Sequence, residues 1–332
     1  MRKRKRRTKI IYRCKNCQKH FSIDYNPQII SDKEILVRHL EGTSIRKLAS
    51  QLTCSKSKIQ RIISSTLLKV PNSNHLTEFT CKYFKNGILL VDGKYIHVKG
   101  YKEKIPLIWC MDYYSHDILA HILAPSENYW AYLALFRQLN KCEYPLQVLV
   151  CDGHKAIVPA LRRVYRNFKI QLCTNHFKED VRKTLNVRSN DKHKKFMAQL
   201  ENIFQAKNRK DFQERAIELL KRVAKNEIYQ SILSDMDLKY KILTTHYDYK
   251  FCPRSTNLIE LFNSHLEARV RSTKGFESWE SAQLWLNAYV INRRLSKFTD
   301  CCKKFKYLNG KCSLYYTAEI DPIDIPLIKE IS

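Results

Sequence analysis

Apolar residues recur at helical spacing in three short blocks between Ser31 and about Leu68. The first block opens with Ser31-x-x-Glu34, the pattern of a capping box at a helix start, and Gly42 closes it. Ile45, Leu48, Ala49 and Leu52 mark the second block, and Ile59, Ile62, Ile63 and Leu67 the third. The turn cluster Pro71-Asn72-Ser73-Asn74 then reads as the start of a linker with an amphipathic piece. Beyond it the period shortens. Strand-like runs at Ile88–Val98, Ile105–Tyr113 and Asp117–Leu123 are joined by links too short for helical crossovers, which predicts an antiparallel meander. A helix over about Ser126–Leu139, a strand over Leu146–Cys151, a helix over about Lys155–Tyr165, a strand over Phe168–Cys173 and a helix from His176 follow, and this alternation predicts parallel additions to the same sheet. Phe196, Leu200 and Ile203, then Phe212, Ala216, Leu219, Leu220 and Val223, keep a helical period through a region that interrupts the alternation. A further long helix runs from Asn257 to about Val270.

The predicted class is α/β: a mixed five-stranded sheet with flanking helices, a helical insertion and a small N-terminal helical domain. The boundaries read as a basic tail with a partial zinc-ribbon-like segment (1–30), the three-helix domain (31–70), a linker (71–86), the first part of the core (87–190), the insertion (191–250), the last part of the core (251–300) and a C-terminal tail (301–332).

Charge narrows the partners. The chain has 332 residues and a formal charge of +28, from 60 Lys and Arg against 32 Asp and Glu, which calls for a polyanion. Nucleic acid fits better than a membrane, because no stretch approaches the roughly 18 apolar residues of a spanning helix. The basic run Arg2–Arg7 is followed by Tyr12-Arg13-Cys14-Lys15 rather than an apolar segment, so no export is predicted. Twelve cysteines scattered through apolar segments read as reduced core thiols rather than a disulfide framework. Cys14-x-x-Cys17, followed by His20, has the spacing of one zinc-ribbon knuckle, yet tetrahedral zinc wants four ligands and no second Cys-x-x-Cys exists.

Within the three-helix block, the layout is that of a helix-turn-helix, whose third helix would present Ser55, Lys56, Ser57, Lys58, Gln60 and Arg61 to a DNA groove, with Arg46 on the second helix alongside. A plain three-helix bundle with a charged face is the alternative. Further on, Asp92 follows the apolar run Ile88–Val91, and Asp152 follows Val148–Cys151. A carboxylate at a buried strand is costly unless it is paired or binds metal. Each is followed by glycine, so each Asp-Gly pair taken alone also reads as a turn. Together with a third acid on a later helix, the two aspartates give the layout of an RNase H-like nuclease core. Such oxygen ligands select Mg2+ or Mn2+, and two ions about 3.5 to 4 Å apart can activate a hydroxyl and stabilise the leaving oxygen of a phosphodiester.

The ordered motifs Asp152-Gly153-His154, Cys173-Thr174-Asn175-His176 and Thr256-Asn257-Leu258-Ile259-Glu260 resemble the catalytic signature of Mutator-type transposases, in particular a bacterial insertion-sequence branch with an N-terminal zinc-binding segment and a helix-turn-helix. The resemblance spans roughly residues 12 to 320. It implies a DDE-type enzyme with Asp92, Asp152 and Glu260 as the metal-binding triad, two Mg2+ or Mn2+ ions, and structural zinc at Cys14 and Cys17. It further implies duplex DNA as partner (the terminal inverted repeats of the element, and target DNA), a homodimer or larger assembly, and a cytoplasmic place beside the bacterial nucleoid. Glu267, on the same helix face as Glu260, is the fallback acid, and Asp112 reads as structural. Cys173 and His176 are implied to support the core. Arg269, Arg271 and Lys274 are read as phosphate contacts after the catalytic helix, with a solvated helix end as the alternative, and Trp130, Trp279 and Trp285 as core. The resemblance also leads one to expect a second knuckle ahead of Cys14, pointing to a start site upstream or a shortened copy. Two other readings share these residues: a transposase relic that binds DNA without cutting it, and a structure-selective nuclease that never joins strands.

Overall fold

The computed structural model describes residues 5–6, 9–23, 30–189, 191–273 and 275–318. A small antiparallel sheet of β1 (Lys5–Arg6), β2 (Lys9–Arg13) and β3 (His20–Ile23) opens the chain, with Cys14 and Cys17 in the turn between β2 and β3. Three helices follow: α1 (Asp32–Leu40), α2 (Ile45–Gln51) and α3 (Lys56–Leu67). Each begins at a serine, Ser31, Ser44 or Ser55, whose side chain accepts the backbone N–H three residues on. These caps satisfy amides that the first turn leaves unpaired. Gly42, at φ +100°, turns the chain out of α1 in a backbone conformation that favours glycine.

The stretch read as a linker contains helix α4 (Ser73–Thr80), which is packed into the body: Leu76 is fully buried, and the Asn287 side chain bonds Ser73 N and Pro71 O. Then come β4 (Ile88–Ile96), β5 (Ile105–Asp112) and β6 (Ile118–Leu123), helix α5 (Tyr129–Asn140), β7 (Val148–Cys151), α6 (Ile157–Arg162), β8 (Lys169–Leu172) and α7 (Thr174–Thr184). The five strands form one sheet in the order β6-β5-β4-β7-β8. β4, β5 and β6 are antiparallel neighbours, while β7 pairs parallel to β4 and β8 parallel to β7, as the lengths of the connections require. α5 starts at Tyr129 rather than near Ser126, because Asn128 caps it by accepting Ala131 N.

Side chains alternate across the sheet with the two-residue period of a strand. Leu89, Val91, Ile108 and Cys110 pack with α5 through Leu135, Phe136 and Leu139. Leu90, Leu107, Trp109 and Met111 face the other way, onto Ile259, Phe262 and Leu266 of α12 (Asn257–Thr273) and Tyr289 of α13 (Trp279–Leu295). That second core continues without a break into Ile35, Leu48, Ile59 and Ile63 of α1–α3, so the N-terminal helices are mortared to the sheet. A separate core joins α7 to α8 (Lys194–Phe204), α9 (Arg209–Arg222), α10 (Glu227–Leu238) and α11 (Tyr240–Leu243). α14 (Ser313–Ala318) closes the described chain and buries Leu314 against the α5 side, so the segment read as a tail belongs to the body as far as Ala318.

The outer edge of β6 is blunted by a side chain. Asn74 donates to His121 O and accepts His121 N, standing in for a neighbouring strand. All twelve cysteines are free thiols. Among the described residues no helix is long and apolar enough to cross a membrane.

Candidate active site

Asp92 lies inside β4, not at its end. Asp92 pairs with Trp109 and Gly93 with Ile108, so Asp92-Gly93 is no turn. β4 and β7 run in register from Ile88 with Val148 to Leu90 with Val150, so Asp92 and Asp152 each lie two residues past the last pair, and the charge of Asp152 reaches Asp92. Gly153, at φ +87°, turns the chain immediately after it, and a Cβ there would lie 2.5 Å from Leu172 Cδ1. Asp152 Oδ1 accepts His154 N at 2.9 Å and fixes that turn.

Glu260 occupies the first turn of α12. The same helix, one turn on, supplies Asn263, whose Nδ2 donates to Asp92 Oδ2 at 2.7 Å, while Gly93 N donates to Oδ1 at 2.9 Å. Burial pushes the Asp92 carboxyl up to about 7, and the negative charges of Asp152 and Glu260 add to the rise against the Gly93 N–H and His176. Asp92 thus feels the charge of both other acids.

Glu260 is tethered on its other side. Thr256 Oγ1 donates to Glu260 Oε1 at 2.7 Å and lies 3.2 Å from Cys173 Sγ and 3.3 Å from His176 Nδ1. His176 is raised to about 9, chiefly by its hydrogen bond with Cys173, with burial opposing and Glu260 and Asp92 assisting. Burial alone would raise the Cys173 thiol, but bonds with His176 and Thr256 outweigh it and lower the pKa. Among the described residues, Cys173, His176 and Glu260 are the one group of three metal-ligand types whose donor atoms lie within 4.8 Å of one another. Glu260 therefore leans toward this pair rather than closing on the two aspartates.

Two acids considered from sequence are engaged elsewhere. Glu267 pairs with Lys94 at 2.7 Å and Arg271 at 2.9 Å, and these partners hold its carboxyl down at about 2. Asp112 is buried and accepts Ser115 N, Ser115 Oγ and Tyr144 OH, a purely internal set of partners.

A model of the family described as "Transposase, Mutator family" matches residues 37–296. The chain belongs to the Mutator family of transposases. A search of curated proteins finds no match. The matched span of this transposase includes Asp92, Asp152 and Glu260 and leaves out Cys14 and Cys17.

In the Mutator-family chain, Arg46, Ser55, Lys56, Ser57, Lys58, Gln60 and Arg61 are all exposed. Arg269 donates to Glu41 at 3.0 Å and Arg271 to Glu267, so each guanidinium already has an acidic partner; Lys274 lies outside the described residues. Cys14 is half-buried and Cys17 exposed; backbone N–H groups of Cys17 and Asn16 lower the Cys14 thiol. Trp285 is buried and Trp279 half-buried, but Trp130 is 71 % exposed, which corrects its reading as core.

Sequence reasoning quoted Thr256 within a motif but gave it no role, and it missed Asn263 and a fourth carboxylate. Glu127, just ahead of α5, accepts Tyr132 OH, and accepts Tyr95 OH at 2.5 Å. Its oxygens lie 3.6 and 3.7 Å from where a Cβ on Gly93 would sit. The signal was the spacing of an acid to the helix cap, which carries no meaning until the tyrosines are seen beside it.

Proposed function

We propose that this chain cuts and joins DNA at the ends of its own mobile element, as a DDE-type transposase with an RNase H-like core. The observation that carries the reading is the family match over residues 37–296, which takes in Asp92 on β4, Asp152 just after β7 and Glu260 on α12, with Asp92 feeling the charge of the other two. The order β6-β5-β4-β7-β8, with three antiparallel strands followed by two parallel ones, supports the RNase H-like assignment. α1–α3, with the exposed polar face of α3, support a helix-turn-helix over 31–70, and the separate core of α8–α11 supports an insertion over 191–250. We assign duplex DNA as partner, with two protomers or more to bring two ends together, in the cytoplasm beside the nucleoid.

The donor set is three carboxylates, which fits a hard divalent cation such as Mg2+ or Mn2+. Bound there, a pair of such ions would supply a nucleophilic hydroxyl and stabilise the leaving oxygen. The protein's own part is placement. Asn263 orients Asp92 through its Oδ2, the Gly153 turn holds Asp152, and Thr256 with Cys173 and His176 restrains Glu260. We assign no metal to Cys173 and His176. Zinc at Cys14 and Cys17 would need two further ligands, from a second copy or another segment.

The test is incubation with Mg2+ or Mn2+ and labelled DNA from the borders of the gene, beside a Glu260→Gln control. Nicks at the borders that vanish in the control are expected; binding without nicks by a folded chain would favour the relic and sink this reading.

Protonation supplies a second check. A carboxyl raised to about 7 favours its neutral form in the fold, so its contribution to stability is present at low pH and is lost as pH rises from the ordinary carboxylate range through 7. The cation must displace that proton. The melting temperature rise caused by Mn2+ is therefore expected to be large at about pH 8 and to shrink as pH falls below about 7. Asp92→Asn is expected to raise the metal-free melting temperature at pH 8 and to remove most of the Mn2+ effect. A Mn2+ effect that ignores pH, or survives in Asp92→Asn, would take Asp92 out of the metal site.

A further inference from the structure

β4 outruns its neighbour. Its last pair with β7 among the described residues is Leu90 with Val150, whereas its pairing with β5 continues to Ile96 with Ile105, so the stretch 93–96 has a strand on one side only. α12 lies over the face that carries Asp92 and Lys94, which stand two residues apart and so on the same side of the strand. Asn263 of α12 donates to Asp92 Oδ2 at 2.7 Å, and Lys94 Nζ donates to Glu267 Oε2, four residues further along the helix, also at 2.7 Å. Two strand residues rise by about 6.6 Å and four helix residues by about 6 Å, so strand and helix keep pace and Lys94 stands one rung beyond Asp92.

Between the overhang and the helix lies an open cavity of about 560 Å³ whose lining includes Gly93, Lys94, His97, Lys104, Glu267 and Arg271. Lys94, Lys104 and Arg271 bring positive charge to it, and Glu267 is the one acid in that lining. Lys94 meets Glu267 through Oε2 and Arg271 Nη2 meets it through Oε1 at 2.9 Å, while Lys104 is exposed and has no acidic partner among the described residues. One anionic oxygen to each cation is the way a phosphodiester would present its two non-bridging oxygens. A metal ion does not suit the place, because a single carboxylate already shared by two cations has little charge left to offer one. Nor is the carboxylate held tightly. Arg271 is 77 % exposed, and exposed ion pairs within one helix contribute little, so a phosphate can take over the cations that Glu267 now occupies.

We propose that Lys94, Arg271 and Lys104 form a phosphate subsite one rung beyond Asp92 that holds the DNA phosphodiester next to the scissile one, and that Glu267 fills it until DNA arrives. The subsite rests on the DNA-cutting reading and deepens it by naming what fixes the strand at the acids. Lys94 is a positioning residue: it grips the neighbouring phosphate and so sets which bond lies at Asp92. Glu267, the fallback acid of the sequence, is then a stand-in for substrate rather than a ligand of the metal.

The experiment uses the full chain and fluorescein-labelled border duplex, with affinity read by anisotropy over a salt series and nicking read in single turnover with Mg2+. Lys94→Gln is expected to bind about tenfold more weakly and to flatten the salt slope by about 0.9, the share of one duplex phosphate, and Lys94→Arg to restore both. Glu267→Gln is expected to bind about tenfold tighter with a steeper slope, because the competing anion is gone, and to go on nicking. A third arm needs no variant. Border duplexes carry an uncharged methylphosphonate in place of one phosphate on either side of the nick, and at one of the two positions wild type should lose about tenfold in affinity while Lys94→Gln loses nothing further. Melting curves without DNA identify a variant that fails to fold, in which case the methylphosphonate result on wild type decides. Wild type that nicks the border yet binds both methylphosphonate duplexes as tightly as the parent would overturn the subsite and leave the cutting reading in place. Folded Glu267→Gln that binds as wild type does but no longer nicks would overturn it too, by moving Glu267 into the metal set. Failure to bind or nick any DNA would remove both readings.

Discussion

Asp152→Asn is expected to lower metal-dependent nicking of border DNA by about a thousandfold or more while duplex binding holds. The substitution isolates charge from shape. Asn keeps a side-chain oxygen that can accept His154 N, so the turn at Gly153 survives, and only the negative charge that attracts a cation is lost. Metal stabilisation of the transition state is worth several kcal/mol, and each 1.36 kcal/mol is a factor of about ten in rate. The same result is expected for Asp92→Asn and Glu260→Gln, measured as single-turnover nicking in Mg2+ and in Mn2+. Full activity in any one of them would remove that residue from the triad. Cys173→Ser should cost far less, since it disturbs only the restraint on Glu260 through Thr256.

Asp117→Ala is expected to cost about 3–5 kcal/mol of folding stability, read from urea denaturation, out of a total that is typically about 5–15 kcal/mol. Asp117 and Arg294 are both fully buried, and the guanidinium meets both carboxylate oxygens at 2.8 Å. Arg294 also donates to Ser73 O, Thr77 Oγ1 and Cys81 Sγ, and Asp117 accepts Ser313 Oγ and Thr317 Oγ1. Removing one ion strands the other away from water among groups that were arranged to satisfy both. Burial pushes Arg294 down, yet Asp117 and Cys81 together more than offset it, so the charge persists at any ordinary pH. The double substitution Asp117→Leu with Arg294→Met should recover a large part of the loss, because an apolar pair has no desolvation to offset. A loss under about 1 kcal/mol in Asp117→Ala would show that the network is not a determinant of stability.

The sheet was legible because its strands are short, buried on both faces and separated by turn residues, which leaves a nearly continuous apolar run as the signal. Asp92 and Asp152 stood out as candidates for the same reason: each interrupts or ends such a run. The roles of Asn263 and Thr256 were not visible there. Their roles depend on partners 171 residues away at Asp92 and 83 away at Cys173, and no local pattern encodes that pairing. Arg294 sits in an apolar stretch of α13, where sequence alone suggests a side chain reaching for solvent; its partner Asp117 precedes β6 on the far side of the chain. Trp130 shows the limit of aromatic spacing as a guide. It falls in the first turn of α5 on the exposed face, with Ala134 and Arg137, opposite the buried stripe of Tyr132, Leu135, Phe136 and Leu139. Residues 73–80 read as a linker because turn formers surround them, yet Leu76 and the Asn287 bridge fasten them to the body.

Glu41, at the end of α1, is gripped by Arg269 of α12 and by Asn292 of α13. Arg269 lies nine residues beyond Glu260 on one unbroken helix, about 13 Å along its axis. The helices proposed to grip the sequence and the acid proposed to cut it are thus two jaws of a caliper with a locked hinge. An enzyme built so selects its cleavage point by distance from the bound sequence, and element ends that gained or lost half a helical turn between grip and cut would turn the scissile phosphate away from the acids.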